Sequence, residues 1–134
     1  MLYLFGSGSY RNDRKIVKVG FTDDIRIREA QYKLHNPLGE MIATRQGDEI
    51  LELKLHLRLQ DYKVEFLDEW FYDEPEVQEA FGSTVGTIDQ WLWNNRSDIF
   101  YPLPKIGSKK RTIYEELRSL FDNPINPDIT TKVL

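Results

Sequence analysis

The sequence predicts an α+β protein, and three observations predict it. Three short runs rich in β-branched and aromatic residues, at 2–5, 16–22 and 40–45, are bounded by turn-forming residues. Stretches with helical spacing and recognisable N-cap residues follow them. The 134 residues are enough to bury one sizeable core, so the strands and helices belong to one domain or to one domain with an appendage.

Residues 2–5 (LYLF) make the first strand. Gly6-Ser7-Gly8-Ser9, with Asn12 and Asp13, reads as the loop of a hairpin that returns through 16–22. In KIVKVGFTDDIRIREAQY, residues 15–32, the pattern then switches. Asp23 and Asp24 suit an N-cap and first turn, and Ile25, Arg28 and Tyr32 follow at helical spacing. This helix spans 24–34 and stops at Asn36-Pro37, because the residue before a proline is pushed out of the α region. Residues 40–45 (EMIATR) form the third strand, ended by Gln46-Gly47.

Residues 50–59 (ILELKLHLRL) carry two signals. Apolar and polar residues alternate from Leu51 onward, which is a strand's period. Leu, Glu, Lys and Arg are nevertheless strong helix formers, only Ile50 is β-branched, and Asp48 is a plausible N-cap. Composition favours a helix, on which Glu52 and His56 share a face. VEFLDEWFYDEP, 64–75, is a loop or short strand. A helix begins near Pro75 and runs through Phe81, and Gly82 and Gly86 interrupt it. Helical spacing resumes over 87–94 and again over 112–121, and 123–134 is a docked or loose tail.

No apolar run approaches the length needed to span a bilayer, and the first residues lack the basic-then-apolar order of a signal peptide. Zero cysteines exclude disulfides and thiolate metal sites, and a cytoplasmic location is expected. Net charge is −4, but residues 1–35 hold seven Lys/Arg against four acids, so a basic third sits on an acidic chain. Such a segment can face phosphates, or be a solvated surface of mixed charge. Phosphate-loop, paired-histidine and nucleophile-elbow motifs are missing. With two histidines, any metal must rely mostly on carboxylates, which points to a hard cation such as Mg²⁺.

Strand alternation puts Gly20 on the same face as Lys18, where a missing side chain leaves room for another backbone or a ligand. Arg28 lies eight residues past Gly20, about a turn into the helix. An aromatic strand, a second strand ending in x-x-Gly, and an arginine at this distance resemble the GIY-YIG endonuclease superfamily. Its two tripeptides fall on Met1-Leu2-Tyr3 and Lys18-Val19-Gly20. The chain is most similar to the T5orf172 branch, with the related Mug113 group, through Lys-Val-Gly-Phe-Thr at 18–22, the Glu52–His56 pair and Glu69-Trp70-Phe71. The resemblance covers about 1–81. Residues 82–134 form a mostly helical C-terminal extension outside it.

The resemblance implies a small three-stranded antiparallel sheet flanked by helices, with 50–59 helical, and metal-dependent cleavage of a phosphodiester in DNA, with RNA as the other candidate. Arg28 would stabilise charge on the phosphate, and Glu52 would hold Mg²⁺ or Mn²⁺. Tyr3, Lys18 and His56 are the candidates for activating or placing the attacking water. Gly20 would open the floor of the site, and Glu69 would order Lys18 or Arg28. Arg26 and Lys33 are candidate contacts to the nucleic-acid backbone. Each residue also has an ordinary role: Tyr3 as a core aromatic, His56 as a packing residue, Arg28, Glu52 and Arg26 as surface charges. The superfamily's second tyrosine is replaced by Lys18, which leaves the general base open. A non-cleaving nucleic-acid-binding module, such as phages encode, is the main alternative, and a protein-interaction domain is the third. The sequence carries no signal for a homo-oligomer or a membrane.

Overall fold

The computed structural model describes residues 1–122, and the expected tail at 123–134 lies outside the described residues. The chain runs β1 (Leu2–Arg11), β2 (Arg14–Phe21), α1 (Ile25–His35), β3 (Glu40–Arg45), α2 (Glu49–Arg58), a 3₁₀ turn (Gln60–Tyr62), β4 (Trp70–Tyr72), α3 (Pro75–Phe81), α4 (Val85–Asn94), α5 (Arg96–Ile99) and α6 (Lys109–Phe121). The architecture is α+β, with one antiparallel sheet in the order β3-β1-β2-β4. Among the described residues, no helix is long and apolar enough to cross a membrane.

The sheet has four strands where three were expected. The fourth, Trp70–Tyr72, pairs Ile16 with Tyr72, Val17 with Phe71 and Lys18 with Trp70. Three residues make too short a run for alternation to identify in sequence. The hairpin loop is also shorter than expected. β1 continues to Arg11, and the turn is Asn12-Asp13, both left-handed (φ 52° and 62°), as a two-residue primed turn requires. The pairing shifts between Gly6 and Tyr10, where Gly8 (φ 75°) lets the Leu38 carbonyl pack close; a Cβ would sit 2.6 Å from that oxygen.

Period-two alternation gives the sheet two different faces. Leu2, Leu4, Val17, Val19 and Phe71 point into the core with Leu51 and Leu55 of α2. Tyr3 and Phe5 point the other way, against Tyr32 of α1. Helix α1 buries none of its residues fully. Its Glu29 side chain accepts from the Met41 backbone N–H of β3 at 3.1 Å.

Residues 50–59 are helical. Asp48 Oδ1 accepts from Leu51 N at 2.9 Å, capping α2. The helix touches β2 on one side and α4 and α6 on the other, so leucines are needed nearly all round it, and that requirement produces the strand-like alternation. Helix α4 starts before its expected position and absorbs Gly86, because Thr84 Oγ1 accepts from Thr87 N and caps it. Arg45 donates to the carbonyls of Phe81 and Ser83, both at 2.6 Å, which ties the end of β3 to the C-terminus of α3. Ile88, Leu92, Ile113 and Leu117 extend the same hydrophobic cluster into α4 and α6.

Candidate active site

On the α1 face of the sheet, Tyr3 and Gly20 are direct cross-strand partners. Gly20 was expected to leave the floor of the site open. Instead Tyr3 fills that space, and a Cβ on Gly20 would collide with the Tyr3 hydroxyl and its ring carbon. The glycine lets a tyrosine cross the partner strand and reach the helix beyond it.

The Tyr3 hydroxyl lies 2.5 Å from the Tyr32 hydroxyl. Arg28, one turn earlier on α1, donates to the same Tyr32 oxygen at 3.5 Å. Lys18 Nζ stands 4.9 Å from the centre of the Tyr32 ring and 5.9 Å from that of Trp70. Its ammonium is also 3.2 Å from the Glu69 carboxylate. The sheet therefore supplies Tyr3, Lys18 and Trp70, and α1 supplies Arg28 and Tyr32.

The two phenols are unequal. Tyr3 is 1% exposed. Burial, then the bond to Tyr32, push its pKa well above the ordinary tyrosine value. At Tyr32 burial pushes upward too, but the contacts with Tyr3, Arg28 and Lys18 outweigh it and hold the phenol below its ordinary pKa. The Arg28 guanidinium is held above its ordinary value, chiefly by its bond to Tyr32. The arrangement pairs a half-buried phenol whose pKa is lowered with a buried phenol whose pKa is raised, their hydroxyls within hydrogen-bond reach.

Tyr32 was not among the expected site residues. Its signal was present, since it stands four residues after Arg28 on one helix face, but a tyrosine at that spacing reads equally well as packing.

Helix α2 approaches from the core face. His56 Nε2 lies 2.8 Å from the Val19 carbonyl, which can only accept, so the ring donates there and keeps Nδ1 as its remaining nitrogen. The ring also packs against Phe71. Glu52 is half-buried and, among the described residues, its carboxylate has neither a hydrogen bond nor an ion pair. Its pKa is raised by desolvation first; the neighbouring His56 lowers it, Glu69 and Glu49 raise it, and Lys18 lowers it.

Arg26 and Lys33 are exposed on α1 and are not drawn into this group. Lys33 instead faces Glu29 at 3.8 Å. No cluster of three or more metal-ligating side chains occurs among the described residues. A single unpaired carboxylate still fits a hard cation that keeps most of its waters and shares a phosphate, as Mg²⁺ does.

A family model described as the T5orf172 domain matches residues 1–92. The chain belongs to the T5orf172 domain family. This is a GIY-YIG-associated, endonuclease-like family. No curated protein and no solved structure matches the chain. The T5orf172 region holds every strand of the sheet and every side chain of the group described above, and it ends within α4.

Proposed function

We propose that this T5orf172 protein is a GIY-YIG-type endonuclease that hydrolyses a phosphodiester bond in DNA with the help of Mg²⁺ or Mn²⁺. The observation that carries this reading is the half-buried Tyr32 phenol, held below its ordinary pKa by Tyr3, Arg28 and Lys18. A structural tyrosine has no need of two cations beside its oxygen. A general base does, because they make its anion easier to form.

In this mechanism Arg28 forks onto the non-bridging oxygens of the phosphate, a task suited to a planar and permanently charged group. Tyr32 accepts the proton of the attacking water, and Tyr3 donates to the Tyr32 oxygen and fixes its position. Lys18 adds positive charge beside the phosphate and is itself oriented by Glu69. His56, anchored on the Val19 carbonyl through Nε2, keeps Nδ1 to place the water. Glu52 would hold the divalent ion, which supplies charge against the phosphate and its leaving oxygen. Because Tyr3 is buried and reluctant to ionise, the water-activating role considered for it passes to Tyr32.

Two observations favour a second reading, a nucleic-acid-binding module that does not cut. Lys18, in the position of the superfamily's second tyrosine, is already paired with Glu69, and the chain as a whole is acidic.

The test incubates the protein with supercoiled plasmid and with single-stranded DNA in Mg²⁺, Mn²⁺ or EDTA, beside Arg28→Ala and Glu52→Ala. Metal-dependent nicking lost in both variants supports the nuclease. A wild type that cuts nothing yet shifts the same DNA at low salt, where phosphate contacts are strongest, supports the binding module.

A further inference from the structure

The loop between the 3₁₀ turn and β4 is fixed at both ends. Lys63 bridges to Phe71, and buried Val64 donates its N–H to the Trp70 carbonyl at 3.0 Å. Within it, Leu67 N donates to the Val64 carbonyl at 3.2 Å, closing a turn whose third residue is Phe66. That position has φ 65°, a left-handed conformation that favours glycine and is a true outlier for a bulky side chain. Phe66 is also 96% exposed.

Other apolar residues are exposed, Leu34, Leu38 and Ile106 among them, but with ordinary backbone. Among the described residues, the other non-glycine positions with left-handed φ are Asn12, Asp13 and Glu69. Asn12 and Asp13 form a hairpin turn that suits them. Among the described residues, Phe66 alone combines backbone strain with an apolar ring left in water. The turn needs a left-handed residue there but not an exposed phenylalanine, and strain that persists in this way points to function.

The loop's position indicates what the ring meets. Three residues on, Glu69 pairs with Lys18, and its carbonyl accepts from Val19 N at 3.1 Å, so the loop leaves the site directly. The same loop contributes Lys63, Asp68 and Glu69 to a cavity of about 360 Å³ that His56, Gln60 and Phe71 also line. A flat apolar ring, exposed on the loop that also carries Lys63 and Glu69, suits a planar heterocycle that arrives on a phosphate backbone.

We propose that Phe66 is a stacking wedge for an unpaired nucleobase next to the phosphodiester held at Arg28 and Lys18. The inference rests on the nucleic-acid reading above and adds to it a preference for DNA with an unstacked base. Aromatic wedges of this kind insert at weakened base steps and hold them open.

The test uses the full chain in EDTA with duplex DNA carrying one unpaired 2-aminopurine, whose fluorescence falls on stacking. Wild type, Phe66→Gly and Phe66→Trp are compared by anisotropy, quenching and thermal melting. The expected result is about tenfold weaker binding and lost quenching in Phe66→Gly, with both retained in Phe66→Trp. Phe66→Gly should also melt higher, because glycine accepts the left-handed φ. Equal binding and quenching in Phe66→Gly overturn the wedge and leave the nuclease reading standing. A lower melting temperature in Phe66→Gly, or a wild-type dimer that this variant dissolves, makes Phe66 a packing or self-association residue and overturns the wedge. A wild type that binds no DNA overturns both readings.

Discussion

The hydroxyl of Tyr3, on the first strand, lies 2.5 Å from the hydroxyl of Tyr32, on the first helix. The two rings are tilted at 57° with centroids 5.8 Å apart. One proton can lie between these oxygens, and the surroundings decide which phenol keeps it. Tyr3 is sealed in the sheet and resists ionisation, whereas Tyr32 faces Arg28 and Lys18 and ionises more readily. A pair of chemically identical groups is thereby divided into one phenol that resists ionisation and one that ionises more readily.

This division is visible to spectroscopy. The ultraviolet absorbance of tyrosinate should reveal one phenol titrating below the ordinary value of about 10, and Tyr32→Phe should remove it. The sign follows from a folded pKa that is depressed. Stability from Tyr32 ionisation is present above the unfolded value and is lost as pH falls through the folded one, so it contributes little near neutrality. Cleavage by wild type should climb with pH toward the folded value of Tyr32 and then level. Tyr3→Phe, which removes a donor to the oxyanion, should move that rise to higher pH. A rate profile unchanged in Tyr32→Phe would remove the residue from catalysis.

Gly20→Ala should disorder the pair from the opposite strand. The added methyl would overlap the Tyr3 hydroxyl and ring carbon, so the phenol must leave its position over β2. Overpacking of this kind costs about 1–3 kcal/mol, readable as a lower urea midpoint. Nicking should fall by more than the stability loss explains, since the Tyr3–Tyr32 bond goes with the ring. Tyr3→Phe in the same chain should recover little, because the ring carbon still obstructs. An unchanged urea midpoint would mean that the ring has somewhere else to go.

Much of this arrangement could be read from the sequence, but unevenly. The strand–glycine–helix order at 15–32 identified Lys18, Gly20 and Arg28 as neighbours, because alternation and capping are local rules. The short strand at Trp70–Tyr72 and the length of the hairpin depended on pairing with distant segments, which no local pattern reports. At 50–59 periodicity pointed to a strand, and composition correctly favoured a helix. Tyr32 was hidden because its partner, Tyr3, lies 29 residues away, and only the fold brings the hydroxyls together. The purpose of Gly20 was misread for the same reason: nothing local says that Tyr3 occupies the space above it.

Glu52 gives a prediction in which stability and activity move in opposite directions. Its carboxylate is partly desolvated, lacks a partner among the described residues, and has a raised pKa. A raised folded pKa means that stability is fully present below the unfolded value and falls as pH rises through the folded one. At neutral pH the charged form is therefore a liability. Glu52→Gln should melt higher than wild type at pH 7 without metal, by a margin that shrinks in acid. Added Mg²⁺ or Mn²⁺ should raise the melting temperature of wild type and leave Glu52→Gln unmoved, because a ligand stabilises only the state that binds it. Equal metal-induced shifts in both proteins would show that the ion is held elsewhere.

The remaining prediction concerns how the last helices are joined to the sheet. Lys54 of α2, 4% exposed, places its ammonium 2.9 Å from Asp89 of α4 and 3.4 Å from Glu116 of α6. Asp89 Oδ1 is buried and has no well-angled hydrogen bond among the described residues, so Coulomb attraction, which depends little on angle, holds the pair. One lysine thus fastens three helices, within the same hydrophobic cluster that backs the sheet. Lys54→Met should cost roughly 3–5 kcal/mol in urea unfolding, because it leaves the Asp89 carboxylate buried and alone. Combining it with Asp89→Leu should restore most of that loss, since an apolar pair of similar volume suits the site. Glu116→Gln should change stability by about 1 kcal/mol or less, as exposed partners do. All three outcomes follow if α4 and α6 fold as one cooperative unit with the sheet. A near-neutral Lys54→Met would instead show that the leucines carry the junction alone.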